Sequence, residues 1–240
     1  MIRHRLVRAA LAFLVSFAAG AAVLPGPLQA LAPRWNGLEE IAPGVFLDDP
    51  SRAAEIRAQL ADAEAAVRET LDAPLPRARM ILCATETCAA RFMGKHRPSG
   101  RTYGAHLVLV GPNGLNPVVL THELAHVALH ARMSLGDVVS PRFPTWFDEG
   151  LASWVARDHR LTPPDAKARA RVLQAEHFTD WGEVMDDLGW RRGYGAALAL
   201  VEEMVAAGGA AGLRGLIERV ADGADFETER RRLLKGGPSG

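Results

Sequence analysis

The segment from Pro117 to about Met133, opening PVVLTHELAHVALH, restricts the fold more than any other part of the sequence. It is too apolar to lie on a surface, so its few polar side chains must gather on one face or be satisfied inside the fold. Asn116 is a good N-cap and Pro117 suits the first helical position, which predicts a helix. At about 100° per residue, His122 and His126 differ by only about 40° around the axis and stand about 6 Å apart along it. Both imidazoles can therefore meet one metal ion at about 2.0–2.1 Å. Glu123 lies about 60° from His126 on the same side, within reach of a water beside such an ion without ligating it. Leu120, Leu124, Val127, Ala128 and Ala131 form the opposite, core-facing side. His130 continues the i+4 series but stands a further ~6 Å along the axis, too far to share the ion with both other histidines. It reads as a surface or packing residue, or else as support for a ligand from behind.

A catalytic zinc site uses three protein ligands and keeps a fourth position open. The following helix supplies a candidate in PTWFDEGLA, Pro144 to Ala152, where Glu149 lies 23 residues past His126. That spacing leaves room for a loop and an antiparallel return. Thr145 reads as the N-cap of this helix, with Asp148 three residues later completing a capping box. Asp148 is thus the competing carboxylate, either as that cap partner or as a group orienting a ligand histidine.

Taken together, HELAH at His122–His126 and P-x-W-F-x-E-G-L-A at Pro144–Ala152 resemble the gluzincin metallopeptidases, in particular the bacterial peptidase MA-like group. The likeness is strongest over residues 116–155 and weaker over the strands before and the helices after. It implies a zincin-like fold and Zn2+ held by His122, His126 and, at the glutamate of E-G-L-A, Glu149. It implies hydrolysis of peptide bonds in a peptide or protein substrate by a zinc-bound water, with Glu123 as general base. Related gluzincins often use a downstream tyrosine or histidine to steady the oxyanion. Tyr194, at the head of a late helix, is the candidate, Tyr103 competes with it, and a core or capping role is the alternative. An edge strand beside the zinc helix lines the cleft in gluzincins, so His106, opening the strand His106–Val110, faces substrate or else is structural. Trp146, Trp154, Trp181 and Trp190 read as packing residues, Trp146 also being able to floor the cleft. Two other classes stay open: a non-catalytic binding or assembly module of the cell envelope on a zincin fold, and a zinc hydrolase of a non-peptide amide. The intact Glu123 favours an enzyme, because a binder has no need of the base.

The rest of the chain frames this centre. Residues 33–50, with Pro33, Pro43 and Pro50, read as an extended lead-in, and Ser51 as the cap of a helix from Ala53 to Leu71. Short apolar strands are expected at Ala78–Ala84 and His106–Val110, a short helix through Ala89 to Phe92, and a loop or hairpin at Gly94–Gly104. After Pro164 the sequence is helical, best at Tyr194–Ala207 and Leu213–Val220, and residues 236–240 form a disordered tail. Strands early and helices late make this an α+β chain, with the catalytic domain spanning 33–235. Lys+Arg and Asp+Glu both number 28, a balance that gives no reason to expect nucleic acid.

Residues 1–32 are different in kind. Arg3, Arg5 and Arg8 precede an uncharged run from Ala9 to Leu24, followed by Pro25, Gly26 and Pro27. This reads as a cleaved signal peptide, with cleavage points after Ala21 or Ala30, or as an uncleaved membrane anchor. Either way the domain is expected to be exported, periplasmic or facing outward from the membrane. In such a compartment Cys83 and Cys88 can bridge, free or buried thiols being the alternative. Two cysteines alone do not make a structural zinc site.

Overall fold

The computed structural model describes residues 26–94, 98–138 and 140–236. In chain order its elements are α1 (Gly26–Gln29), β1 (Glu39–Ala42), β2 (Val45–Leu47), α2 (Ala53–Leu71), β3 (Arg79–Leu82), α3 (Glu86–Met93), β4 (Gly100–Tyr103), β5 (Leu107–Val110), α4 (Pro117–His130), α5 (Thr145–Val155), α6 (Ala166–Val172), α7 (Phe178–Leu188), α8 (Trp190–Ala221) and α9 (Phe226–Lys235). The fold is α+β, with one five-stranded sheet of order β1-β2-β3-β5-β4. The inner strands β2, β3 and β5 run parallel, and β1 and β4 pair antiparallel at the two edges.

The inner strands are short apolar runs because both sheet faces are covered. Side chains alternate between two cores, as a period of two demands. Phe46, Ile81 and Leu109 meet Cys83, Cys88, Phe92 and Leu38 on one side. Leu47, Met80, Leu82, Val108 and Val110 meet the larger core on the other, which α2, α4, α5 and α8 complete. The expected amphipathic stripe of α2, Ile56, Leu60, Ala63, Val67 and Leu71, is buried there. A Cys83–Cys88 disulfide ties the end of β3 to α3.

Several boundaries differ from the sequence reading. The lead-in 33–50 is not merely extended: it holds a 3-10 turn at Pro33–Asn36 and the β1–β2 hairpin, whose tight turn is held by the Glu40 carboxylate accepting from the Gly44 amide at 2.9 Å. Ser51 is not the cap of α2. It sits inside a 3-10 turn, Pro50–Arg52, capped by Asp49, whose carboxylate is better placed to accept the Ser51 amide. The expected hairpin at 94–104 forms through β4 pairing with β5. The two late helical segments are one helix, α8, broken at Gly209, where φ is 68° and ψ 176°.

By length and composition α8 is long and apolar enough to cross a membrane. Ala196, Ala197, Leu200, Val201, Met204, Leu213, Leu216 and Val220 of this helix are buried in the main core. The apolar run Ala9–Leu24 and residues 237–240 lie outside the described residues. Of the N-terminal segment, residues 26–32 are described, and they dock on the domain. Ala30 is buried, and Arg79 donates to the carbonyls of Ala30 (3.0 Å) and Leu31 (3.3 Å).

Candidate metal centre

Helix α4 starts as its sequence demands: Asn116 Oδ1 accepts the Val119 amide at 3.1 Å and Pro117 occupies the first turn. It ends at His130 rather than near Met133. Leu120, Leu124, Val127 and Ala128 face the core, which turns His122, Glu123 and His126 toward α5, β4 and α8. The approach of α8 depends on Gly150. A Cβ there would stand 2.4 Å from the Ala197 carbonyl oxygen, so α5 and α8 touch main chain to main chain. That contact brings Glu149 of α5 and Tyr194 of α8 to the histidine face of α4.

Three nitrogen and oxygen atoms converge there. His122 Nε2 and His126 Nε2 are 3.1 Å apart, and Glu149 Oε2 lies 3.3 Å from the first and 3.5 Å from the second. Ligands at about 2.0–2.1 Å from a tetrahedral ion are spaced about 3.3 Å from one another. The triangle therefore has the edges of a tetrahedral ligand face, and its two imidazoles and one carboxylate suit zinc. A second group that could hold an ion shares His126 and adds His130 and Asp148. Its contacts are too short for ligand edges: His126 Nδ1 to Asp148 Oδ1 is 2.6 Å and His130 Nε2 to Asp148 Oδ2 is 2.7 Å. These are charge-assisted hydrogen bonds.

Of the two roles expected of Asp148, the capping box does not form and the contact to a histidine of α4 does. Pro144 occupies the N-cap position of α5, no side chain caps it, and Thr145 Oγ1 instead donates to the Glu176 carbonyl at 3.3 Å. Asp148 points at the two histidines because α4 lies alongside and offers stronger donors than a local amide. Burial pushes its carboxyl up, but the charges and hydrogen bonds of His126 and His130 more than reverse this and leave it far below the usual range. An ionised carboxylate only accepts, so His126 carries a proton on Nδ1, which leaves Nε2 as the nitrogen that would face an ion. Burial likewise opposes ionisation of Glu149, and hydrogen bonds from His122 and His126 overcome it, bringing it down to about 2. In the metal-free protein, burial lowers His126 while Asp148 and Glu149 raise it well above its ordinary value, the carboxylates prevailing. His130 is neither loose on the surface nor simple packing: it is the second donor to Asp148.

Glu123 is buried (5% exposed) against β4. Thr102 Oγ1 donates to its Oε2 at 2.7 Å, and a Cβ on Gly100 would come within 2.3 Å of its Oε1. Neither residue was visible as functional in the sequence, since the contact spans 21 residues; only the hairpin reading of 94–104 pointed near it. Tyr194 lies beside the triangle, its ring 5.8 Å from that of His122 and edge-on to Trp181 at 5.2 Å. Burial, with the charge of Glu149, pushes its phenol well above the ordinary value, so it stays a proton donor. Tyr103 is exposed, with Arg101 donating to its hydroxyl at 3.5 Å. His106 stands exposed in the β4–β5 turn, just before the inner strand β5; the edge strand beside the centre is β4. Trp181 is a packing residue, as expected, and so is Trp146, which packs on Phe147 and Phe226 rather than flooring the site. Trp154 is partly buried against the core, but Trp190 is 46% exposed, under the guanidinium groups of Arg160 and Arg191.

Comparison with known proteins gives little more. No family model matches the chain, and no solved structure matches it. The chain is similar to the uncharacterized protein YhcO of Bacillus subtilis (strain 168), 31% identical over 65 residues, a stretch covering 27% of this chain and 20% of that protein.

Proposed function

We propose that the chain is an exported zinc-dependent metallopeptidase of the gluzincin type on a zincin-like fold, cutting peptide bonds in a peptide or protein substrate. The triangle of His122 Nε2, His126 Nε2 and Glu149 Oε2, with edges of 3.1–3.5 Å, carries this reading. His122, His126 and Glu149 would hold the zinc, which when bound lowers the pKa of water and polarises the scissile carbonyl. Glu123, next in sequence to His122 but kept out of the triangle by Thr102, accepts the proton of the attacking water and delivers it to the leaving amine. Tyr194, held protonated by its burial, donates to the carbonyl oxygen as negative charge develops on it. The buried walls limit bulk water around these groups, which strengthens each interaction. An oxidising compartment outside the cytoplasm accords with the Cys83–Cys88 disulfide and with the basic, then apolar N-terminus.

The test is metal analysis and proteolysis of the purified chain with Glu123→Gln beside it. The expected result is about one zinc per chain in both, with proteolysis of an unfolded protein substrate falling about 10²–10⁴-fold in the variant. Equal turnover by both proteins would sink the proposal.

A further inference from the structure

Asp148 does more than touch one ligand. It comes from α5, the residue immediately before Glu149, and spends one oxygen on each of two rings of α4: Oδ1 on His126 and Oδ2 on His130. The rings lie one helical turn apart, with centroids 5.6 Å apart and planes 28° from parallel. A carboxylate held at a single oxygen can still swing, because its terminal torsion is broad. Held at both oxygens by donors whose spacing the helix itself sets, it cannot. His130 Nδ1 is buried and finds no partner among the described residues, so Nε2 is the only polar hold on this ring. Such a group is costly for a residue that merely fills space.

We infer that His130 is a positioning residue for the metal corner: by donating to Asp148 it fixes the plane of that carboxylate, and through it the orientation of the His126 ring and the seating of Glu149 against α4. The inference rests on the metal reading proposed above and deepens it. His130 touches neither substrate nor metal. It works at one remove, on how well two of the three ligands are preset before an ion arrives. Groups behind metal ligands commonly account for about 10–100-fold in affinity.

The experiment uses the full chain, stripped of metal and titrated with zinc against a chromophoric chelator, with the visible spectrum of the cobalt(II) form as a second readout. His130→Gln retains an N–H donor near the position of Nε2; His130→Leu fills the space without one. The expected result is a zinc Kd about 10–100-fold weaker and an altered cobalt spectrum for His130→Leu, with His130→Gln close to the parent. If His130→Leu fails the circular-dichroism check for folding, His130→Asn, polar but too short to reach Asp148, is read in its place. A parental Kd and spectrum in the donor-less variant would overturn the inference, as would a glutamine variant impaired as badly as leucine, since rescue by the donor is what separates positioning from packing. His126→Ala is run alongside. Should it bind zinc as tightly as the parent, the metal reading itself falls, and the positioning role with it.

Discussion

The two walls of the site are built on different principles. On the α4–α5 side, the functional groups are buried or half-buried and joined by hydrogen bonds, and two carboxylates on adjacent residues serve three histidines. On the β4 side, the Glu123 carboxylate is held by a single hydroxyl, Thr102, and by the empty space where Gly100 lacks a side chain. The first wall brings together the atoms that could hold an ion. The second fixes only where Glu123 points. On the function proposed above, metal retention and turnover would depend on separate residues, so each wall could be damaged without the other.

The largest effect belongs to the first wall. His126→Ala removes a vertex of the triangle and also one of the two donors to Asp148, and is expected to abolish zinc retention together with all proteolysis. Zinc at about 100 times its Kd stabilises the parent by about 2.7 kcal/mol, which at about 2–4 °C per kcal/mol raises Tm by some ~5–10 °C; in the variant a thermal melt should show no response to zinc. On the second wall, Gly100→Ala puts a methyl group where the Glu123 carboxylate now lies. Because that carboxylate ends a flexible side chain, the fold survives and the base moves. Zinc content should stay near one per chain while kcat/KM falls about 100-fold, as for a misplacement of about 1 Å. Loss of zinc in this variant would break the separation of the walls. Thr102→Val removes one hydrogen bond to a charged group, worth about 1.5 kcal/mol, so about a tenfold loss in kcat with zinc affinity unchanged is expected.

The smallest effect is on pH dependence. Asp148 and Glu149 are held below their ordinary values of 3.8 and 4.5, Glu149 at about 2. Such groups stabilise the folded state above the unfolded pKa and lose that contribution as pH falls through the folded one. Metal-free protein should therefore lose Tm on acidification from pH 5 to pH 2.5, and Asp148→Asn should lose less over the same range. A parallel pair of curves would remove the charged network from the account of the first wall.

Much of the first wall could be read in the sequence, and little of the second. His122 and His126 follow from helical spacing alone, and the distance from His126 to Glu149 suggested the return of α5. For Asp148 the sequence leaves two readings open, a local capping box or a group orienting a histidine; the neighbouring helix decides for the second, because two imidazoles compete for it and win. His130 reads in the sequence as surface, packing or support for a ligand from behind; contact with a carboxylate on the next helix, unseen in the sequence, decides for the hydrogen-bonded role. Gly100 and Thr102 had no periodic signal, as their partner comes from another element. The β1–β2 hairpin was missed for a similar reason: its strands of three and four residues pair through the backbone, and flanking prolines imitate a linker. The long helices were legible because their apolar stripes repeat over several turns.

The meeting of Gly150 with the Ala197 carbonyl sets how near the phenol on α8 can come to the histidines of α4. Since backbone rests on backbone there, repacking the surrounding side chains cannot tune that gap. Drift or engineering that aims to relocate the phenol must slide α8 or thicken α5 at Gly150, the residue beside the carboxylate at 149. The placements of Tyr194 and Glu149 are thereby tied to one backbone contact.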